Sequence, residues 1–372
     1  DQQAEHPDPI LERTRELQQR VPLDPPSLVI DNAYSSNSQP TDPSLAVGPN
    51  HVFVVYNTAF VIYDKAGNIV EGPLGPGAIF PSSGCCDLTA SYDNAADRWV
   101  LSFLGNGAQI AVSDGPDPTT AGWYIYTISS ISDYQKLSIW SDGYYLTDNT
   151  TSPNKVWVLE RDALLNGTSA GVEGYDLPGI RTFGFYSPQV FNVTDANLPA
   201  NGGATVVYMQ DDAWSGVSND HLKMWTVTPS WTSSPNSGSV SAATEFPIEP
   251  FIGVFDNGSF ANLEQPGRGR KVNIDALQAT IMNQAQFRKF ATHNSAVFNF
   301  VVDTDASSGE VAGVRWFEFR QNGDNQPWYK YQEGTYVAPD NRHAWNASLA
   351  MDAQGNIGIC LLYTSPSPRD AH

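Results

Sequence analysis

Residues 41–64 read TDPSLAVGPNHVFVVYNTAFVIYD, and their pattern decides the architecture. Asp42-Pro43 opens a short apolar run from Leu45 to Val47, and Gly48-Pro49-Asn50 turns the chain. An alternating strand follows from His51 to Tyr56. Another, Ala59 to Tyr63, ends in a second polar turn from Asp64 to Asn68. Short apolar runs separated by Gly, Pro and Asn turns are a hairpin signature.

The unit recurs. DLTASYDNAADRWVLSFL starts at Asp87, DYQKLSIWSDGYYLTDN at Asp133 and HAWNASLAMDAQGNIGI at His343. The copies opening at Asp42, Asp87 and Asp133 are 45 and 46 residues apart. Strands at Ala108 to Val112, Trp123 to Ile128 and Lys155 to Leu159 lie between them, making about four strands per repeat. Weaker copies begin near Ser187 and Asp275. Four strands in about 45 residues is the pattern of a propeller blade. The expectation is therefore an all-β chain forming a β-propeller of four-stranded antiparallel blades, six or seven when complete. Two stacked sandwiches would not repeat a hairpin at a fixed interval.

Residues 1–40 read as a lead-in, with a short helix within Ile10 to Arg20 stopped by Pro22, Pro25 and Pro26, then an extended stretch Leu28 to Ile30. The propeller is expected over residues 41–359. From Cys360 onward, CLLYTSPSPRDAH loses the alternation and resembles translated adapter sequence. Residues 360–372 are thus expected to be foreign to the fold, with the last blade unfinished and further C-terminal modules possible in a longer chain.

Acids outnumber bases 40 to 20 for a formal charge of -20, which disfavours nucleic-acid partners. No apolar run is long enough to span a membrane as a helix. Three cysteines make neither a disulfide scaffold nor a zinc site. Adjacent Cys85 and Cys86 read first as ordinary thiols near a turn, with a vicinal disulfide as the alternative.

The runs DPSLAVGPNHVFVVYNTAFVIYDKAGNIV, YDNAADRWVLSF, FRKFATHNSAVFNFVVD and DNRHAWNASLAMDAQGNIGI resemble a group of secreted bacterial propeller proteins. The resemblance spans roughly residues 38–359, and the group is loosely similar to sialidase-type propellers. It implies a secreted, extracellular or cell-surface location and leaves the activity open.

In a propeller the loops leading into the innermost strands gather at one mouth. The repeat places Asp42, Asp87 and Asp133 at equivalent loops, with Asp275 and His343, beside Arg342, at similar ones. Converging carboxylates bind calcium or sugar hydroxyls, or serve as acid and base on a glycosidic bond; alternatively each caps its own turn. Asp133, His343 and Arg342 are the catalytic candidates; Asp42, Asp87, Asp133, Asp275 and Trp214 are the ligand-binding candidates. Asp211, Asp212 and Asp220 share one loop with Trp214 and form the calcium candidate. A sialidase would need converging arginines, drawn from Arg98, Arg181, Arg288, Arg315 and Arg342. A lyase would need a His and a Tyr, drawn from His293 or His343 with Tyr144 or Tyr186. The favoured function is a binding or adhesion module for polysaccharide or a cell-surface partner. The alternative is a carbohydrate-active enzyme, glycoside hydrolase or polysaccharide lyase, with its site at the channel mouth.

Overall fold

The computed structural model describes residues 8–11, 27–30, 34, 38, 40–81, 84–150, 152–232, 237–255, 262–264, 273–307 and 309–364. These form an all-β propeller with five antiparallel blades of four or five strands, followed by a two-stranded sheet. Blade one is Ser44–Val47, His51–Tyr56, Ala59–Asp64 and Ile69–Leu74, so the stretch that set the repeat supplies its first three strands. Blade two runs from Cys86–Asp93 to Trp123–Ile128, and blade three from Lys136–Ile139 to Val172–Tyr175. Blade four is built on Gln189–Val190, Ala204–Gln210 and His221–Thr228. Blade five holds Gln286–Lys289, Asn294–Asp303, Ala312–Gln321 and Tyr329–Tyr336. Its first strand also takes Asn192–Val193 in parallel, which laces blade four to blade five.

The alternation drives this arrangement because neighbouring blades pack their apolar faces on one another. Phe53, Val55, Phe60 and Ile62 of blade one pack on Leu88, Trp99, Leu101 and Phe103 of blade two. Burial of such side chains contributes roughly 1.5–3 kcal/mol each. The Trp99 ring lies 5.6 Å from Phe53 and 4.7 Å from Tyr92, and its Nε1 donates to Pro116 O at 2.8 Å. Gly48 is demanded by this contact, since a Cβ there would stand 2.7 Å from the Trp99 ring.

Turn chemistry repeats as well. Asp64 Oδ1 accepts from Ala66 N and Asn68 N, and Asp352 Oδ1 accepts likewise from Gln354 N and Asn356 N. Gly67 and Gly355 take left-handed φ of 87° and 88° in these two turns.

Two expected boundaries move. The last strand, Ile357–Tyr363, runs through Cys360, because Leu361 packs with Ile357 and Ile359 onto the blade-five core. Of the lead-in, Asp8 is buried and paired with Arg315 of blade five, so this part of residues 1–40 is docked on the propeller. The expected helix is seen only at its start, Pro9 to Leu11; its remainder lies outside the described residues, as does the tail beyond Thr364.

Candidate functional site

First strands begin, and second strands end, at one end of the antiparallel blades, so both sets of loops line the same mouth. The loop residues are held in a shared backbone conformation. Asp42, Asp87 and Tyr134 take left-handed φ of 42°, 58° and 53°, uncommon for side chains larger than glycine. The true equivalent of Asp42 and Asp87 in blade three is therefore Tyr134, one residue beyond the expected Asp133. The one-residue shift brings an aromatic ring into the mouth and leaves Asp133 exposed beside it.

At the centre, Lys136 Nζ stands 3.5 Å from the centroid of the Tyr134 ring. Desolvation pushes this ammonium below its ordinary pKa, while Asp87, Asp42 and Asp133 pull it back up. Burial raises the Asp42 carboxyl, Lys136 opposes the shift and Asp87 adds to it. Burial likewise raises Asp87, against Lys136 and with Asp133. Tyr134 is raised by burial and then by Asp42, Asp87, Asp275 and Asp133. Four expected aspartates thus share one electrostatic neighbourhood. Among the described residues none of them forms an ion pair with Lys136, whose near neighbours are the ring and Gln135 O at 3.4 Å. Lys136 and Tyr134 escaped the sequence reading because nothing local distinguishes them from strand residues.

Asn57 fixes the floor between blades one and two. Its backbone N–H donates to Thr41 O at 2.8 Å, its Nδ2 donates to Pro40 O at 3.2 Å and its Oδ1 accepts from Asp87 N at 2.6 Å. Gln135 Nε2 donates to Asp87 O at 2.7 Å from the blade-three side. Immediately before Asp87, Cys85 and Cys86 are joined by a disulfide, correcting the reading as ordinary thiols. Further round the mouth, Phe185 meets Tyr134 edge-on at 4.4 Å, and Lys155 Nζ accompanies Tyr186 Oη at 2.9 Å.

Asp211, Asp212 and Asp220 each offer an oxygen within 4.8 Å of the others. Their hard oxygens suit calcium, and they supply three of the six to eight ligands it takes. Asp211 accepts from Ala213 N and Gly253 N, and Asp220 from Asp212 N and Phe251 N. Burial nevertheless pushes Asp211 up to about 7 and Asp220 up to about 6.

Other expectations fail on geometry. Trp214 is 4% exposed, stacked on Phe183 at 5.9 Å and part of the largest core cluster, so no ring face is open to a sugar. His343 sits at the start of the two-stranded sheet, where its Nδ1 accepts from Ala312 N at 3.2 Å. Burial lowers its pKa, against the charge of Glu264, which raises it. Arg342 lies beside it, half-buried, after the turn Pro339–Asn341. Three of the five arginines a sialidase would draw on are engaged elsewhere: Arg315 pairs with Asp8 and Glu333, Arg288 with Asp195, and Arg98 donates to its own turn. Tyr144 donates to Asp93 at the opposite end of the blades.

What the fold and this site define is a β-propeller with an acidic, aromatic-lined mouth. The sequence matches no protein-family model and no curated protein. Among solved structures, the catalytic domain of a GH62 alpha-L-arabinofuranosidase from Coprinopsis cinerea aligns at 15% identity and a TM-score of 0.34, covering 80% of this chain and 92% of that one. The Podospora anserina alpha-L-arabinofuranosidase in complex with cellotriose aligns at 12% identity and 0.34, over 76% and 91%. A GH62 hydrolase in complex with xylotriose aligns at 11% identity and 0.32, over 72% and 88%. At such scores the likeness carries no functional argument. No helix among the described residues is long and apolar enough to cross a membrane.

Proposed function

We propose that the mouth around Lys136 binds a polyhydroxylated ligand, a polysaccharide or a cell-surface glycan, and that the chain serves as a secreted or cell-surface binding module. One observation carries this reading. Lys136 lies in the field of Asp42, Asp87 and Asp133 yet forms an ion pair with none of them. An ammonium donor and several carboxylate acceptors held apart in one mouth suit hydroxyl groups placed between them, with the Tyr134 and Phe185 rings alongside. The test is isothermal titration of xylotriose, cellotriose and a panel of soluble polysaccharides. Binding that disappears in Lys136→Met and in Asp87→Asn supports the reading; a panel that stays silent sinks it.

Catalysis is the second reading. Burial raises the carboxyls of Asp42 and Asp87 from their ordinary value, the direction that favours a general acid. Release of reducing ends, or of unsaturated products absorbing in the ultraviolet, would replace the binding reading if Asp42→Asn or Asp87→Asn removed it with the fold intact.

A further inference from the structure

Asp87 is held from three sides. Its N–H donates to Asn57 Oδ1 of blade one and its carbonyl accepts from Gln135 Nε2 of blade three. On its N-terminal side the chain passes through the Cys85–Cys86 disulfide, whose two Cα atoms are 3.7 Å apart. The strand pairing slips between Cys86 and Thr89, so Asp87 and Leu88 form a bulge opposite Phe103. Bulges re-aim side chains. Here the re-aimed side chain is the carboxylate that shares the mouth with Lys136 and Asp42.

Asp42 and Tyr134 reach the same left-handed conformation in their own blades, where no cysteine pair precedes them. The disulfide is therefore not what creates the conformation. Its distinct effect is to close a small ring over the Cys85–Cys86 peptide, which removes the backbone freedom next to Asp87. Cys85 is exposed and Cys86 half-buried, so the bond lies within reach of a thiol from the mouth side.

We propose that the Cys85–Cys86 disulfide is a redox-sensitive positioning clamp for Asp87, so that the state of this bond sets the ligand affinity of the mouth. The role in affinity rests on the mouth being the binding site. A dithiol reductant works the clamp by thiolate attack on the Cys85 sulfur, which breaks the Cys85–Cys86 bond and releases the Cys86 thiolate. The second thiol of the reductant then displaces Cys85. Two electrons and two protons pass to the cysteines, and the reductant leaves as a cyclic disulfide. With the ring open, the backbone next to Asp87 regains its freedom and the Asp87 carboxylate is no longer held towards Lys136.

The test uses the Cys360→Ser chain, because Cys360 is an exposed free thiol that would itself be alkylated. Folded protein is treated with dithiothreitol, quenched with iodoacetamide and mapped by mass spectrometry. The expected result is two alkylated cysteines at 85 and 86 after reduction and none before. Lys136 is then labelled with an amine-reactive acetylating ester at pH 8. Loss of the nearby Asp87 charge makes more of the amine neutral, so the labelling rate should rise at least threefold, while lysines away from the mouth stay unchanged. This readout needs no ligand. Binding of whichever oligosaccharide the titrations identify should weaken by at least fivefold on reduction. Alkylation without reductant, or reduction that leaves Lys136 labelling unchanged, overturns the clamp. Faster labelling with unchanged glycan binding upholds the clamp on Asp87 and overturns its role in affinity. Cys85→Ser/Cys86→Ser in the same background should reproduce the reduced state, and reduction of the folded chain stands in if that variant does not fold.

Discussion

Lys136 Nζ stands 3.5 Å over the Tyr134 ring, inside an arc of aspartates from four loops. A cation on a ring face is stabilised by the ring quadrupole, by roughly 0.5–2 kcal/mol depending on desolvation. The contact therefore holds the ammonium centrally without tying it to any one carboxylate.

Replacing Lys136 by Met removes the cation that opposes the rise of Asp42 and Asp87. Both carboxyls should then titrate at higher pH than in the parent. Carboxyl carbon shifts followed through a pH series report this directly; unmoved midpoints would place Lys136 outside their neighbourhood.

Acidification should stabilise the fold before it destroys it. Burial pushes Asp211 and Asp303 up to about 7 and Asp220 up to about 6, against an ordinary 3.8. A raised carboxyl binds its proton more tightly when folded, so stability grows as pH falls from 8 towards 5. The opposite sign applies to Asp117, Asp305 and Asp324, held low by their hydrogen bonds, whose contribution fades only below about pH 4. Thermal melts should therefore peak near pH 5. A maximum at pH 8 would contradict the burial of these three carboxyls.

Calcium should act on the same groups from the other direction. If an ion neutralises Asp211, Asp212 and Asp220, the melting temperature at pH 8 rises with added calcium and falls with EDTA. Saturation to one hundred times the dissociation constant is worth about 2.7 kcal/mol. Asp212→Asn should abolish the response with least harm to the fold, since backbone amides already hold both oxygens of Asp211 and of Asp220. Identical melts with calcium and with EDTA would leave the three aspartates as loop caps.

The lead-in should matter to stability through the Asp8–Arg315 pair. Arg315 is fully buried and donates to Asp8 Oδ1 at 2.9 Å, Glu333 Oε2 at 3.0 Å and Glu249 O at 2.9 Å. Arg315→Met leaves Asp8 and Glu333 buried without that cation, at a cost of roughly 3–5 kcal/mol. Denaturant titration should find this loss in Arg315→Met and a smaller one in Asp8→Ala, where Glu333 still faces the arginine. Equal stability of parent and Arg315→Met would show that the buried Arg315 pairs add nothing.

Alternation, turn residues and a 45-residue interval are local properties, and by themselves they determined the propeller, four strands to a blade, with three blades placed almost strand for strand. The Asp-to-Asn turns at Asp64 and Asp352 were legible for the same reason, since each is closed by hydrogen bonds within five residues. The repeat placed Asp42 and Asp87 at equivalent loops, and they share a left-handed backbone, but in blade three that conformation falls on Tyr134 and not on Asp133. Only the tertiary structure decided what stands among them. Lys136 and Tyr134 come from blade three and Asn57 from blade one, and their roles depend on partners far along the chain. Burial decided the rest. Trp214 in its polar loop reads either as a ring offered to sugars or as one tucked against the blade, and its neighbours in space, Phe183 and Tyr208, decide for the second. Desolvation depends on everything packed around a group, so which carboxyls hold their protons is a property of the folded ring.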